Sequence, residues 1–308
     1  MSKNVPRWQS GKERGHQGLM RLMVFLSLRL GRRITRHLLV PISLYFLLFV
    51  PEARRASRSF LGHVHGRPAR ITEVFDHIHH FASTIHDRVY FLNGRFEAFD
   101  IRVVGRECFD PPEPAILVGA HFGSFDALRA SAWSERDLPI TMMMYPENAR
   151  KIQRVLNAIN PERAGDIIEL GQIDSMIEAD HRLRQGHLVG MLADRSLATD
   201  PMAERLFLGA PASFAEGPFR MAALLRQRVL VMAGIYLGDN RYEVRFEPIA
   251  DFRDITRGER RRAIDAAMDR YVARLESLVR EHPTNWFNFF DFWASDESHS
   301  PTSTRGTD

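Results

Sequence analysis

Cysteine is nearly absent from this 308-residue chain: Cys108 is the only one. A lone thiol excludes an intramolecular disulfide framework and a cysteine-built zinc site, and it suits a reducing compartment. Lysine is almost as scarce, at positions 3, 12 and 151, so 39 of the 42 basic residues are arginine. No apolar run reaches the roughly 20 residues of a comfortable membrane-spanning helix. The chain also has no Gly-x-Gly-x-x-Gly dinucleotide loop, no phosphate-binding P-loop and no Gly-x-Ser-x-Gly nucleophile elbow. It lacks a recognisable reading helix or stacked-aromatic RNA motif, and its arginines are dispersed, which argues against a nucleic-acid binder. Hydrophobic content of 44%, charged content of 26% and a net charge of +4 are those of a folded chain. The length suits one large or two modest domains.

What is present begins with Ala115-Ile116-Leu117-Val118, an apolar strand pattern that runs into Gly119-Ala120-His121-Phe122-Gly123-Ser124-Phe125-Asp126. On one continuous helix, His121 and Asp126 would lie about 140° apart and could not share a face. They can meet if His121 ends the strand, Gly123 makes a tight turn and Ser124 caps a helix starting near Phe125. A carboxylate held there would orient the imidazole while its other nitrogen takes a proton from a substrate hydroxyl. Strand patterns at 99–104, 115–120, 140–145, 166–170, 188–193, 229–235 and 242–247 alternate with helical patterns at 125–134, 148–159, 173–184, 218–228 and 257–280. This alternation predicts an α/β fold with a mixed, mostly parallel sheet flanked by helices. A further amphipathic helix is expected over 70–93, with Val74, Ile78, Phe81, Ile85 and Val89 on one face.

The N-terminal region carries its own signal. Leu38–Val50 is an uncharged run of 13 residues flanked by Arg29, Arg32, Arg33 and Arg36 before it and by Glu52, Arg54 and Arg55 after it. It starts too late for a secretory signal and is too short to span comfortably. A segment lying at a membrane interface, its arginines on anionic lipid, is the expectation.

The His-x4-Asp block resembles the first block of the lysophospholipid acyltransferase superfamily, and its surroundings resemble the lipid A late acyltransferase branch. Gly190-Met191-Leu192-Ala193-Asp194-Arg195 is similar to that branch's apolar strand ending in Asp-Gln or Asp-Arg. Phe207-Leu208-Gly209-Ala210-Pro211 resembles its Phe-Phe-Gly-type loop, and Glu216-Gly217-Pro218-Phe219-Arg220 its third block. The closing segment His282-Pro283-Thr284-Asn285-Trp286 through Trp293 resembles the family's aromatic ending, and looks most like acyltransferases of aryl-polyene or flexirubin pigment pathways. Two positions depart from the pattern: Asp126 replaces the usual glutamate of the lipid A enzymes, and Pro218 stands where a threonine is usual.

The resemblance implies an acyltransferase that moves an acyl group from a thioester, an acyl carrier protein adduct or acyl-CoA, to a hydroxyl of a lipid or glycolipid. It implies work at the cytoplasmic face of a bacterial inner membrane, without a metal or organic cofactor. His121 is the expected base and Asp126 its orienting carboxylate. Arg195, beside Asp194, is expected to stabilise the oxyanion. Arg150, Arg154, Glu216 and Gly217 are further substrate-binding candidates. Asp76, His77, His79, His80, His86 and Asp87 are read as a polar helix face rather than a metal site. The expected organisation is a flexible N-terminus (1–16), a membrane-associated helical segment (17–60), an acyltransferase domain (61–293) and a disordered tail (294–308). The alternatives are a thioesterase or lipid hydrolase using the same dyad, acylation of a pigment-lipid precursor, and a membrane-surface scaffold without catalysis.

Overall fold

A computed structural model describes residues 17–135, 139–146, 167–171, 173–195 and 201–293. Its centre is strand β2 (Ala115–Gly119), every residue of which is buried. That continuous apolar run needs cover on both faces, and helices on either side of the sheet supply it. Four helices come first: α1 (Gln17–Leu30), α2 (Arg32–Thr35), α3 (Leu39–Phe49) and α4 (Pro51–His65), then the long α5 (Ile71–Leu92). The chain continues with β1 (Asp100–Val104), β2, α6 (Phe125–Glu135), β3 (Ile140–Met144), β4 (Ile167–Glu169), α7 (Ile173–Arg184) and β5 (Leu188–Leu192). It closes with β6 (Met202–Phe207), β7 (Ala210–Ala215), α8 (Gly217–Leu224), β8 (Arg228–Tyr236), β9 (Arg241–Asp251) and α9 (Arg260–Glu281).

The seven-stranded sheet has the order β1-β9-β8-β2-β5-β3-β4. Strands β8, β2, β5, β3 and β4 run parallel, while β9 pairs antiparallel with β8 and carries β1 beside it. The predicted α/β class and mostly parallel sheet therefore hold. A separate β6–β7 hairpin lies outside the expected strands; its burial alternates, with Ala203, Ala212 and Phe214 inward. Helices α8 and α9 cover one face of the sheet, with Phe219, Tyr271 and Leu275 against Ile116, Val118 and Val231. Helix α6 and Leu128 cover the other, against Leu117, Met142, Leu188 and Met232.

The apolar run at 38–50 forms α3. Leu39, Ser43 and Leu47 face inward, while Val40, Leu44, Tyr45, Leu48 and Phe49 (62% exposed) face out. No described helix is long and apolar enough to cross a membrane alone; Arg32–Phe49 and Pro51–His65 are bent by 92° about Val50. Pro51 at the first turn of α4 explains the break, because the residue before a proline is pushed out of the helical region. The N-terminal helices are lashed to the sheet by a buried ion pair: Arg32 Nε donates to Asp87 Oδ1 at 2.7 Å, and Tyr242 donates its hydroxyl to Asp87 Oδ2 at 2.7 Å.

The helix expected over 70–93 is α5, but its apolar stripe divides. Val74 and Ile78 are core, whereas Phe81 and Ile85 are exposed and line the cavity described below. The histidines of α5 are not one cluster: three of them tether the helix to other segments, and His80 bonds within it. His77 bonds Ser57 and the Trp286 carbonyl, His79 bonds Ser43, His80 bonds the Asp76 carbonyl, and His86 bonds Thr35. Among the described residues no group of His, Cys, Asp and Glu could hold a metal ion.

Candidate active site

The local fold around His121 follows from two small residues. Gly123 adopts φ 63°, and a Cβ there would lie 1.9 Å from the Gly234 carbonyl oxygen, so only glycine lets the chain cross β8. Ser124 then caps α6, its Oγ accepting the Ala127 N–H at 3.2 Å. The crossing is pinned on both sides: Gly123 N–H donates to the Asn285 carbonyl at 2.7 Å, and Ser124 N–H to the Gly234 carbonyl. The strand, turn and capped helix expected from the sequence are all formed.

His121 opens into a cavity of about 960 Å³ at the carboxyl edge of the parallel strands. Its deeper wall is apolar: Leu128, Met142, Met144, Leu192 and Met232 over Gly119. Helix α5 contributes Phe81, Ile85 and Arg88, α4 contributes Glu52 and Arg55, and the C-terminal segment contributes Phe287, Phe289, Phe290 and Asp291. The aromatic block is an extended segment laid across the strand ends, with Phe122 and Trp286 bridged and Phe287 N–H donating to the His121 carbonyl at 2.8 Å. Trp286 and Phe292 face the core while Phe287, Phe289 and Phe290 face the cavity.

The imidazole's partner differs from the expected one. His121 Nδ1 lies 2.9 Å from Asp194 Oδ1, and Asp194 Oδ2 accepts the His121 backbone N–H at 3.0 Å and the Trp286 indole N–H at 3.1 Å. Asp126 instead faces Arg88 of α5, at 3.0 Å. The reason is register. Strands β2 and β5 pair in parallel with Gly119 opposite Leu192, so two residues further on His121 stands opposite Asp194. Asp126 sits in the first turn of α6, whose direction carries it towards α5. Both carboxylates are buried, and the site holds both, but only Asp194 touches the ring.

Burial and the Arg195 charge push the His121 pKa below the ordinary imidazole value, against the opposing pull of Asp194. Burial alone would raise the Asp194 pKa; its contact with His121 and the nearby Arg195 overcome this and hold it below the usual carboxylate range. At neutral pH the pair is therefore a neutral imidazole against a carboxylate. A carboxylate can only accept, so Nδ1 carries the proton and Nε2 presents a lone pair. Among the described residues, Nε2 has no hydrogen-bond partner.

Arg195 shares the cavity with His121. Its Nη2 donates to the Phe287 carbonyl at 2.6 Å, and its guanidinium lies 5.0 Å from the centre of the Phe290 ring. The N-terminal end of α6, the positive end of its dipole, lines the same wall through Phe125 and Asp126. Glu216 and Gly217 do not join the cavity: Glu216 is buried against Arg261 of α9, and Gly217 opens α8. Arg150 and Arg154 lie outside the described residues.

A His–Asp pair thus stands at the carboxyl edge of a parallel sheet, with Asp194 buried and His121 open to a cavity that has an apolar wall and a fixed arginine. Residues 97–295 match the family model for the bacterial lipid A biosynthesis acyltransferases, more than half of the chain, and the chain belongs to that family. It is a lipid acyltransferase. Among solved structures it is similar to the crystal structure of the 1-acyl-sn-glycerophosphate acyltransferase PlsC from Thermotoga maritima, at 16% identity and a TM-score of 0.38, over 80% of this chain and 98% of that one. No curated protein matches.

Proposed function

We propose that the enzyme transfers an acyl group from an acyl carrier protein thioester to a hydroxyl of a lipid or glycolipid, with His121 as the general base. The observation that carries this reading is the fixed orientation of the imidazole: Nδ1 is held on buried Asp194 while the ring faces the cavity. The acceptor O–H gives its proton to Nε2 as its oxygen attacks the thioester carbonyl. The oxyanion that forms lies near Arg195 and the N-terminal end of α6, donors already fixed in place. The C–S bond then breaks and His121 returns the proton to the departing thiolate, leaving an ester and a free thiol. The base activates the acceptor directly, so this route forms no acyl-enzyme.

The apolar wall under Gly119 suits the acyl chain. Met142 and Met232 limit its depth, because each rests over a glycine of the sheet: Met142 over Gly190 and Met232 over Gly119. Asp126 and Arg88 form a charged pair at the side of the same cavity and suit contacts to the acceptor headgroup.

The exposed apolar face of α3 supports docking at a membrane interface, on the cytoplasmic face of a bacterial inner membrane. Phe81 and Ile85 extend exposed apolar surface to the cavity mouth, a route for a lipid acceptor. The test is mass spectrometry of products after the purified protein is incubated with an acyl carrier protein thioester and a bacterial lipid extract. A new acylated lipid supports the reading. Release of free acid alone, with every lipid class unchanged, assigns a thioesterase instead.

A further inference from the structure

The hydrogen bonds around His121 do not end at Asp194. The Trp286 indole N–H reaches Asp194 Oδ2 at 3.1 Å, and the Trp286 carbonyl lies 2.9 Å from His77 Nε2 on α5. His77 Nδ1 in turn lies 2.8 Å from the Ser57 hydroxyl on α4. Every member of this chain behind His121 is buried, with Trp286, His77 and Ser57 wholly so.

Each link has a defined direction. A carbonyl can only accept, so His77 carries its proton on Nε2 and its Nδ1 accepts from Ser57. Burial holds His77 neutral, its pKa lowered to about 4 in spite of the bond to Trp286. A neutral histidine with one fixed tautomer is a rigid strut, and nothing in acyl transfer requires it to titrate.

We propose that Trp286 is a positioning residue for the acyl transfer: its indole N–H fixes the Asp194 carboxylate against His121, and His77 fixes Trp286 from behind. This rests on the assignment of His121 as the base. The chain joins the α4–α5 helices to the catalytic ring through four hydrogen bonds, so the base is oriented from the N-terminal helices as well as from the sheet. Packing alone would explain the burial of Trp286, which lies edge-on to Phe60 and Phe292 with ring centres 5.0 and 4.8 Å away. It does not explain why the indole nitrogen is aimed at the one carboxylate that holds the base.

The electrostatic consequence has a sign. Asp194 shares its charge among three N–H donors, and removing the indole N–H leaves more of that charge facing the imidazole. The imidazolium is then better stabilised, and the His121 pKa rises. The other charged groups around the cavity are Arg195, Asp126 on α6, Arg88 on α5, Glu52 and Arg55 on α4, and Asp291. The Tyr271 hydroxyl of α9 donates to the Gly119 carbonyl behind the ring. None of these is altered by a change at the indole nitrogen.

The test replaces Trp286 with 3-benzothienylalanine, which keeps the fused-ring shape and lacks the N–H donor, and in parallel with Phe. The readout is the His121 titration followed by nitrogen-15 NMR of labelled histidine, which needs no substrate. The pKa of His121 should rise by about half a unit or more in both variants. Turnover of the acyl carrier protein thioester should fall about tenfold, with KM for the thioester within twofold. In an Asp194→Asn background the same replacement should cost less than a further twofold, because the link it breaks is already lost. His77→Phe should move the His121 titration in the same direction by a smaller amount. An unchanged His121 titration in the benzothienyl variant overturns the proposal, whatever the effect on stability. A shifted titration in a protein that acylates no lipid leaves the positioning role intact and removes the acyl-transfer reading.

Discussion

Replacing Asp194 with Asn changes one atom, and the geometry says which way the new amide turns. In one orientation the amide oxygen still accepts from His121 Nδ1–H, but the NH2 group then faces the His121 backbone N–H and the Trp286 indole N–H. That strands two buried donors and both amide hydrogens. In the other orientation the oxygen accepts from both N–H groups, and the NH2 donates to Nδ1, leaving one amide hydrogen unpaired. Each buried unpaired donor costs about 1–3 kcal/mol, so the second orientation is favoured by several kcal/mol. It also forces the imidazole proton onto Nε2, where the cavity needs a lone pair. The variant should therefore fold, with stability lowered by about 1–3 kcal/mol, and lose turnover by roughly 1,000-fold or more. KM should change little. The assay pairs acyl transfer kinetics with nitrogen-15 NMR of the histidine tautomer. Wild type should show the Nδ1–H form at His121 and Asp194→Asn the Nε2–H form, whereas Asp126→Asn should leave the tautomer unchanged. A tautomer switched by Asp126→Asn and untouched by Asp194→Asn would refute the assignment of the orienting carboxylate.

Other outcomes follow from single contacts. The acid limb of the kcat/KM profile should fall below the ordinary imidazole range, because burial and Arg195 depress the His121 pKa. His77, buried and neutral, has a folded pKa of about 4 against an ordinary 6.5; the unfolded chain binds this proton first as pH falls. Stability should thus be complete above about pH 6.5 and drop by about 3 kcal/mol towards pH 4 from this group alone, read as urea midpoints in wild type against His77→Phe. Gly123→Ala sets a methyl 1.9 Å from the Gly234 carbonyl at a positive φ, and should cost at least ~2–4 kcal/mol in thermal or urea unfolding. Leu44→Ser, Leu48→Ser and Phe49→Ser together should weaken binding to anionic vesicles by roughly 100-fold without loss of fold. Deleting residues 1–55 is a poorer test, because it removes Arg32 and leaves Asp87 buried without its ion partner.

The strand, turn and helix at 115–135 were legible in the sequence because local chemistry specifies them: an apolar run, a glycine at the crossing and a serine cap. The α/β class was legible from alternation of patterns. The carboxylate that meets the His121 ring was not, because it depends on which strand lies beside β2. Ala115 to His121 and Leu188 to Asp194 are two seven-residue patterns ending in Ala-His and Ala-Asp, and neighbouring register makes their ends meet. A five-residue spacing to Asp126 is visible in one dimension; a 73-residue spacing across parallel strands is visible only once the sheet order is known. Glu216 looked like a substrate ligand by resemblance, yet Arg261, 45 positions away on α9, faces it. Arg195 needed only the strand end to be placed, and it lies in the cavity with His121.

His121→Ala tests most directly whether His121 acts as the base. With purified protein, an acyl carrier protein thioester and the acceptor found by mass spectrometry, turnover should fall at least about 100-fold while circular dichroism and the melting temperature stay near wild type. Turnover within a few-fold of wild type in that folded variant would contradict the mechanism at its centre.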